Sequence, residues 1–231
     1  MRVQLSADGK FLEAAFGAPR RTLSWAIVGG GFGVHERVVW HYVRRAELGF
    51  RTDAKLLLEQ RLAQHGYGEA VGLLTARDVR RYAHVEAEHA GVVGRALVTV
   101  GLGNALRAGD AVASAAPPVG TINVLCEVSE PLSDGALIEA LGLISEARAA
   151  ALLALAFPST VSGEPASGTG TDCSVVACPS VTTAPVQIYA GKHTAVGYVI
   201  GQSVLSATRR AAEDWLREQT RHSTTNIEAS T

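Results

Sequence analysis

Gly120-Thr-Ile-Asn-Val-Leu-Cys-Glu-Val128, followed after a short gap by Ser133-Asp-Gly-Ala-Leu and so on to Phe157-Pro158, decides the fold class. Thr121 to Val128 is an apolar, partly β-branched run of the kind that packs as a strand, bounded upstream by Pro117-Pro118-Val119-Gly120. Ser133 or Asp134 then caps a long helix, and Pro158 closes it near Phe157 because a proline disfavours helical geometry in the residue before it. Leu137, Leu141, Ile144, Leu152 and Leu155 stripe one face, while Leu143 and Leu153 lie elsewhere on the circumference. A helix apolar on several sides is buried on several sides, so this one reads as central. A Gly/Ser/Thr loop, Ser159 to Thr171, leads to a second apolar strand, Asp172 to Cys178. A single helix standing between β segments points to a layered α/β domain.

The flanks agree. Val3-Gln-Leu-Ser and Phe11-Leu-Glu-Ala-Ala surround Asp8-Gly9, a dipeptide that supplies the turn of a β-hairpin. Thr22 to Val28 reads as a strand entering Gly29-Gly-Gly-Phe-Gly33, with another strand over Arg37 to Val43. Thr52 to His65 carries Leu56, Leu57 and Leu62 at helical spacing between the start signals Thr52 and Asp53 and the stop Gly66. Val71 to Leu74 is a short strand, Thr75-x-x-Asp78 can cap a brief helix, and Gly91 to Val100 is a further strand. Thr194 to about Arg217 places Val196, Ile200, Val204, Thr208, Ala211 and Trp215 on one helical face. The expectation is therefore one α/β domain over residues 1–220, with a mixed sheet, an N-terminal hairpin, a long central helix and a C-terminal helix. Residues 221–231 are polar and read as a flexible tail. Periodicity leaves the strand order open.

Bulk properties exclude several roles. Lys and Arg total 21 against 22 Asp and Glu, a net charge of −1, which offers nucleic acid or anionic lipid no attraction. No run approaches the roughly 18 apolar residues of a membrane span, and the N-terminus lacks the apolar core of a signal peptide, so the expectation is a cytoplasmic protein. The three cysteines form no C-x-x-C pair and read as reduced, buried thiols. The apolar richness is compatible with a homodimer.

Chemistry concentrates in loops at strand ends: Gly29 to Gly33, Gly101 to Asp110, Gly120 to Asn123, and Ser167-Gly-Thr-Gly-Thr-Asp172. Glycine lets backbone N–H groups approach a ligand closely, although at any single strand end it is also ordinary turn chemistry. The last loop has neither the lysine of a P-loop nor a G-x-G-x-x-G opening a helix, which disfavours nucleotide binding. It does set Thr169 and Thr171 beside Asp172, either to satisfy the turn or to orient a water. Tyr189-Ala-Gly-Lys-His-Thr194 puts His193 at the start of the last helix, with Thr194 as the cap. Arg148 lies in line with Ile144 and Leu152, so it either snorkels outward or reaches a buried anion, and Glu146 projects from nearly the opposite side. The histidines show no H-E-x-x-H spacing and no G-x-S-x-G is present, so neither a zinc site nor a serine-hydrolase elbow is indicated.

Taken in order, Leu23-Ser-Trp-Ala-Ile-Val-Gly-Gly-Gly31, Val71-Gly-Leu-Leu-Thr75, Thr99-Val-Gly-Leu-Gly-Asn-Ala-Leu-Arg-Ala-Gly-Asp110, Gly120-Thr-Ile-Asn-Val-Leu125, Ser145-Glu-Ala-Arg-Ala-Ala-Ala-Leu152, the Ser162 to Asp172 loop and Tyr189-Ala-Gly-Lys-His-Thr-Ala-Val-Gly197 resemble the adenosylcobinamide amidohydrolase family. The resemblance spans about Thr22 to Ser203, and the Gly-Asn-Ala-x-x-Ala-Gly-Asp and Gly-Thr-Gly-Thr-Asp loops are its most specific parts. It implies hydrolysis of the amide joining aminopropanol to the corrin ring of adenosylcobinamide, giving adenosylcobyric acid for cobamide salvage; no cofactor is expected beyond the cobalt-containing substrate, and since the histidine spacing supports no metal site, a metal-dependent variant ranks last among the readings.

For such a reaction the expected catalytic set is Asp172 activating water or a threonine hydroxyl such as Thr171, His193 protonating the amine, and backbone N–H groups at Gly168 and Gly170 with Asn104 or Asn123 facing the oxyanion. Thr121, Asn123, Asp110, Gly168, Thr169, Gly170, Tyr189, Glu146 and Arg148 are the expected substrate contacts. Arg148 stands where the family pattern has lysine, and arginine cannot take over a lysine's proton transfer or nucleophilic attack. Two other readings use the same residues: a corrinoid-binding protein without hydrolysis, and a hydrolase of another amide with Thr169 or Thr171 attacking.

Overall fold

The computed structural model describes residues 1–49, 52–112, 120–180 and 184–228, with the side chains of Arg45 and of residues 222–228 left out. In chain order the elements are β1 (Arg2–Leu5), β2 (Phe11–Ser24), β3 (Gly31–Tyr42), α1 (Ala54–Gln64), β4 (Val71–Thr75), β5 (Tyr82–His89), β6 (Val92–Val100), β7 (Ala105–Leu106), β8 (Ile122–Val128), α2 (Asp134–Leu155), β9 (Gly168–Thr169), β10 (Cys173–Pro179) and α3 (Ala195–Glu228). An 8-stranded sheet runs β4-β3-β2-β10-β8-β6-β5, with β1 on β2, and β7 pairs with β9 in a small ribbon. The β8/β10 and β3/β4 pairs are parallel and the others antiparallel, so the sheet is mixed, as expected. The last long strand, β10, inserts between the N-terminal hairpin strand β2 and β8. Such a long-range pairing leaves no local trace in a sequence.

Side-chain alternation sorts the sheet into two packed layers. Val98, Val124, Cys126 and Val176 face α2 and α3, where Leu137, Ile144, Ile200 and Val204 complete a core. The opposite face carries Leu97, Leu125, Val175 and Ala177, and these pack on Leu12, Ala14, Val38 and Trp40 of β2 and β3. The sheet thus folds back over itself. Its bend lies in β2, whose register on β3 shifts between Ala15 and Arg20, around Gly17 at φ +78°. Only glycine adopts that left-handed geometry without cost, so Gly17 lets one strand serve both layers. Outside the second layer, α1 buries Leu58 and Leu62 against Phe11, Val39 and Ala70.

The hairpin, the central helix and the last helix stand where the sequence placed them, with Asp53 capping α1, Ser133 capping α2, and Thr194 accepting from the Gly197 N–H at 2.9 Å at the head of α3. Several expectations are corrected. Thr75 and Asp78 form tight turns instead of a helix, because their side chains accept from the Arg77 and Arg80 N–H groups two residues on. On α1 the buried leucines are Leu58 and Leu62, while Leu56 is exposed. β3 starts at Gly31, since the glycine run pairs with the end of β2. Tyr82-Ala-His-Val-Glu-Ala-Glu-His89 is a strand that its small apolar residues and many charges concealed; it pairs with β6 at the sheet edge. α3 continues beyond Arg217 to Glu228, as no glycine or proline stops it. Pro117 to Val119 and residues 229–231 lie outside the described residues. No helix among the described residues is long and apolar enough to cross a membrane.

The contact between α3 and the sheet gives a test of this packing. A Cβ on Gly94 of β6 would lie 2.9 Å from both the Val199 carbonyl oxygen and its Cγ2. Gly94→Ala is therefore expected to push α3 off β6 and lower unfolding stability by about 1–3 kcal/mol, read as a lower urea midpoint with an unchanged slope.

Candidate functional site

A cleft of about 480 Å³ opens between the two sheet layers, where β8 and β10 begin and β4 ends. Trp25, Ile27, Leu48 and Leu73 supply an apolar wall, and Asn104, Thr121, Asn123, Thr171 and Asp172 a polar floor. The floor follows from strand register. Asn123 and Cys173 are partners across the parallel β8/β10 pair, so residues distant in sequence share one row on the face between the layers.

Asp172 is the hub of this floor. Its Oδ1 accepts from the Ile122 N–H at 3.0 Å and the Thr169 hydroxyl at 2.5 Å, and its Oδ2 from the Thr169 N–H at 2.9 Å. Arg148 Nη1 lies 3.3 Å from Oδ2, with side-chain exposures of 14% for Arg148 and 7% for Asp172. Arg148 therefore reaches a buried anion instead of snorkelling. The Asp172 main-chain oxygen accepts from Trp25 Nε1 at 2.7 Å, which joins the apolar wall to the floor. Gly168 passes so close that a Cβ there would sit 2.4 Å from Oδ2. With its oxygens accepting from backbone and hydroxyl donors and the Arg148 guanidinium beside Oδ2 as counter-charge, the carboxylate is placed to hold the loop.

Beside it, two hydroxyls share one carbonyl. Thr121 Oγ1 and Thr171 Oγ1 are 2.7 Å apart, and they lie 2.8 and 3.0 Å from the Gly120 oxygen. When one hydroxyl donates to the carbonyl and the other to its neighbour, the pair forms a short chain along which a proton can move. Asn104 is 3% exposed, and its Oδ1 lacks a hydrogen-bond partner. A Cβ at Gly120 would fall 2.3 Å from that oxygen, so glycine is required there by packing. Asn123 Nδ2 donates to the Leu74 oxygen at 2.8 Å and ties β8 to β4 across the layers.

The structure thus gathers Asn104, Thr121, Asn123, Thr171 and Asp172 at the cleft, with Gly168, Thr169, Gly170 and Arg148 packed around them. Other candidates fall elsewhere. His193 is exposed and does not line the cleft. Tyr189 is 66% exposed, and Glu146 bonds Lys192 at the surface, in surroundings distinct from those of Arg148. Asp110 accepts from the Arg107 N–H at 2.7 Å and from the Ser159 hydroxyl at 2.5 Å, which closes its own loop; the Ser159 bond, then those of Ser162 and Arg107, hold its carboxyl below the usual range.

Sequence reasoning did not assign Trp25 and Ile27 to the site: it placed both inside a strand over Thr22 to Val28, whereas the strand ends at Ser24 and leaves them on the cleft wall. It also treated Cys173 only as a buried thiol. Cys173 does line the cleft, but burial pushes its thiol up to about 11, which keeps it protonated near neutral pH. Among the described residues no cluster of His, Cys, Asp and Glu could hold a metal ion.

Residues 1–220 match the protein family described as Adenosylcobinamide amidohydrolase. The curated Adenosylcobinamide amidohydrolase of Halobacterium salinarum is 35% identical over 127 residues, which cover 51% of this chain and 49% of that protein. The match thus spans about half the length of the curated relative. Two solved structures show weak likeness. The PH0078 protein of Pyrococcus horikoshii OT3 has a TM-score of 0.42 at 12% identity, covering 94% of this chain and 79% of its own. An l-aminopeptidase d-ala-esterase/amidase from Ochrobactrum anthropi has a TM-score of 0.41 at 14% identity, covering 87% and 76%.

Two outcomes follow from the site's electrostatics. Asp172→Asn strands the Arg148 guanidinium in a mostly buried position, and is expected to cost about 2–4 kcal/mol of stability in chemical denaturation; adding Arg148→Met should cost less than the sum of the single changes, because the two residues act as one pair. Iodoacetamide at pH 7.5 should leave Cys173 unmodified in the folded protein and modify it in urea, as peptide mass spectrometry would show. Rapid labelling of the folded protein would contradict the burial that raises its pKa.

Proposed function

Because the chain belongs to the adenosylcobinamide amidohydrolase family, we propose that it hydrolyses the amide linking aminopropanol to the corrin ring of adenosylcobinamide, in the cytoplasm, releasing adenosylcobyric acid for re-entry into cobamide synthesis. Water is the only co-reactant. The bonds broken are the amide C–N and one O–H of water; the carbonyl carbon gains the hydroxyl and the departing nitrogen gains the proton.

The observation that carries a hydrolytic role is the Thr121–Thr171 hydroxyl pair at the floor of a cleft with apolar walls. A site for amide cleavage must hold an oxygen nucleophile, donors for the oxyanion and a proton for the amine. The attacking oxygen is held at the hydroxyl pair: Thr171's own if an acyl-enzyme accumulates, a bound water's if none does. Asn104 is the amide side chain available to the oxyanion, as Asn123 Nδ2 is committed to Leu74, and a Cβ at Gly170 would lie 3.8 Å from Asn104 Nδ2. The Gly170 N–H, on the neighbouring loop, is the backbone donor assigned to the same oxyanion. The proton for the amine passes along the hydroxyl pair, in place of His193. Asp172 acts as a positioning residue, through the loop that carries Thr171. Arg148 serves as its counter-charge, a role that a lysine ammonium also fills, so arginine at this position is consistent with turnover.

Incubation of the purified protein with adenosylcobinamide and with its non-adenosylated form, followed by chromatography, should show cobyric acid and aminopropanol from the adenosylated substrate. Absence of product from both would sink the enzyme assignment. Thr171→Val should lower kcat by about 100-fold or more while Thr171→Ser keeps most of it, with melting temperatures unchanged. Equal activity of the valine variant would remove the pair from the mechanism.

A further inference from the structure

A cleft of about 480 Å³ lies within the roughly 300–1,000 Å³ that houses a drug-sized ligand. A corrin with its amide arms and an adenosyl group is a larger body. Only the arm bearing the scissile amide can descend to the floor, so the ring systems must rest against the rim and the apolar wall. Trp25 stands there, 45% exposed, with Ile27, 47% exposed, on the same wall.

Trp25 differs from the other tryptophans. Trp40 is fully buried, and Trp215 packs edge-on against Phe157 with ring centroids 5.6 Å apart. Trp25 instead lines the cleft, and the bond from its Nε1 to the Asp172 oxygen at 2.7 Å fixes one edge of the indole. An aromatic ring that is half exposed yet anchored has given up rotamer freedom before any ligand arrives, which is the condition for low-cost stacking. Its anchor is also the residue that holds the hydroxyl loop, so a ring seated on Trp25 is placed in register with the floor.

We infer that Trp25 is a stacking platform for a flat conjugated ring of the substrate, either the corrin or the adenine of its upper axial group, and thereby a specificity-determining residue. The inference rests on the corrinoid reading above. It assigns the recognition to an aromatic face and apolar contact, with the amide chemistry left to the polar floor.

Calorimetric titration with adenosylcobinamide, cyanocobinamide and free adenosine tests it, using the wild type, Trp25→Phe, Trp25→Leu and Trp25→Ala, each checked for an unchanged thermal melt. The alanine and leucine variants should bind adenosylcobinamide about ten-fold or more weakly, and phenylalanine should stay within about three-fold of wild type. Where turnover is measurable, KM should rise with little change in kcat. Equal losses on both cobinamides assign the face to the corrin. A loss confined to adenosylcobinamide, and shared by adenosine, assigns it to adenine. Wild-type affinity in the alanine and leucine variants overturns the inference, as does a phenylalanine variant as weak as alanine, since the indole hydrogen bond would then be the cause. A wild type that binds these probes without forming product would defeat the hydrolytic assignment and leave the platform measurable; one that binds neither cobinamide defeats both.

Discussion

The carboxylate of Asp172 is the constraint on which the cleft depends. A mostly buried carboxylate must find donors and a counter-charge, and this one takes its hydrogen bonds from the Ile122 and Thr169 N–H groups and the Thr169 hydroxyl, and its counter-charge from Arg148. These partners come from three parts of the chain: the first residue of β8, the segment before β10, and α2. Satisfying one charge therefore fixes the start of two parallel strands and the position of the central helix against them. The glycine at 168 follows, because any Cβ would occupy the space of the carboxylate oxygen.

A second constraint runs along β8. On the face between the layers the strand reads Asn123, Leu125, Glu127. Asn123 reaches across to β4 at the cleft end and Leu125 packs in the middle. Glu127, 2% exposed, meets Arg20 at 3.0 Å and Arg95 at 3.5 Å at the far end. One end of the space between the sheets is thus closed by ion pairs and the middle by hydrocarbon, which leaves the other end as the place where a cleft can remain open. Leaving Glu127 without its arginines would cost several kcal/mol, so the closed end resists opening and the layers hold their spacing.

What could be read from the sequence divides along the same lines. Elements set by local signals were legible: the hairpin at Asp8-Gly9, the caps at Asp53, Ser133 and Thr194, and the strands flanking the central helix. So was membership of the cleft for Asn104, Thr121, Asn123, Thr171 and Asp172, since strand-end loops of parallel neighbours gather on one edge. Hidden were the features that depend on distant partners. β5 was concealed because an edge strand tolerates charges on its solvent face. The insertion of β10 beside β2 and the refolding of the sheet at Gly17 come from long-range pairing. His193 reads like a catalytic histidine because helix starts and active sites favour the same residues, yet it is exposed and does not line the cleft.

The glycine-rich loops then take on a different meaning from the one their composition suggests. A run such as Gly-Thr-Gly-Thr-Asp looks like a cradle built for a ligand's phosphate, but Gly168 makes room for Asp172, and Gly120 makes room for Asn104. In both cases the backbone approaches the protein's own polar side chain. Those side chains are thereby held in place beneath the cleft, where a neutral ligand group, offering no charge to grip, would have to be positioned by fixed donors and acceptors already in place. Packing glycine against carboxylate and amide is in this sense the origin of the site's rigidity, and the aromatic wall above it is the part of the cleft left open to solvent.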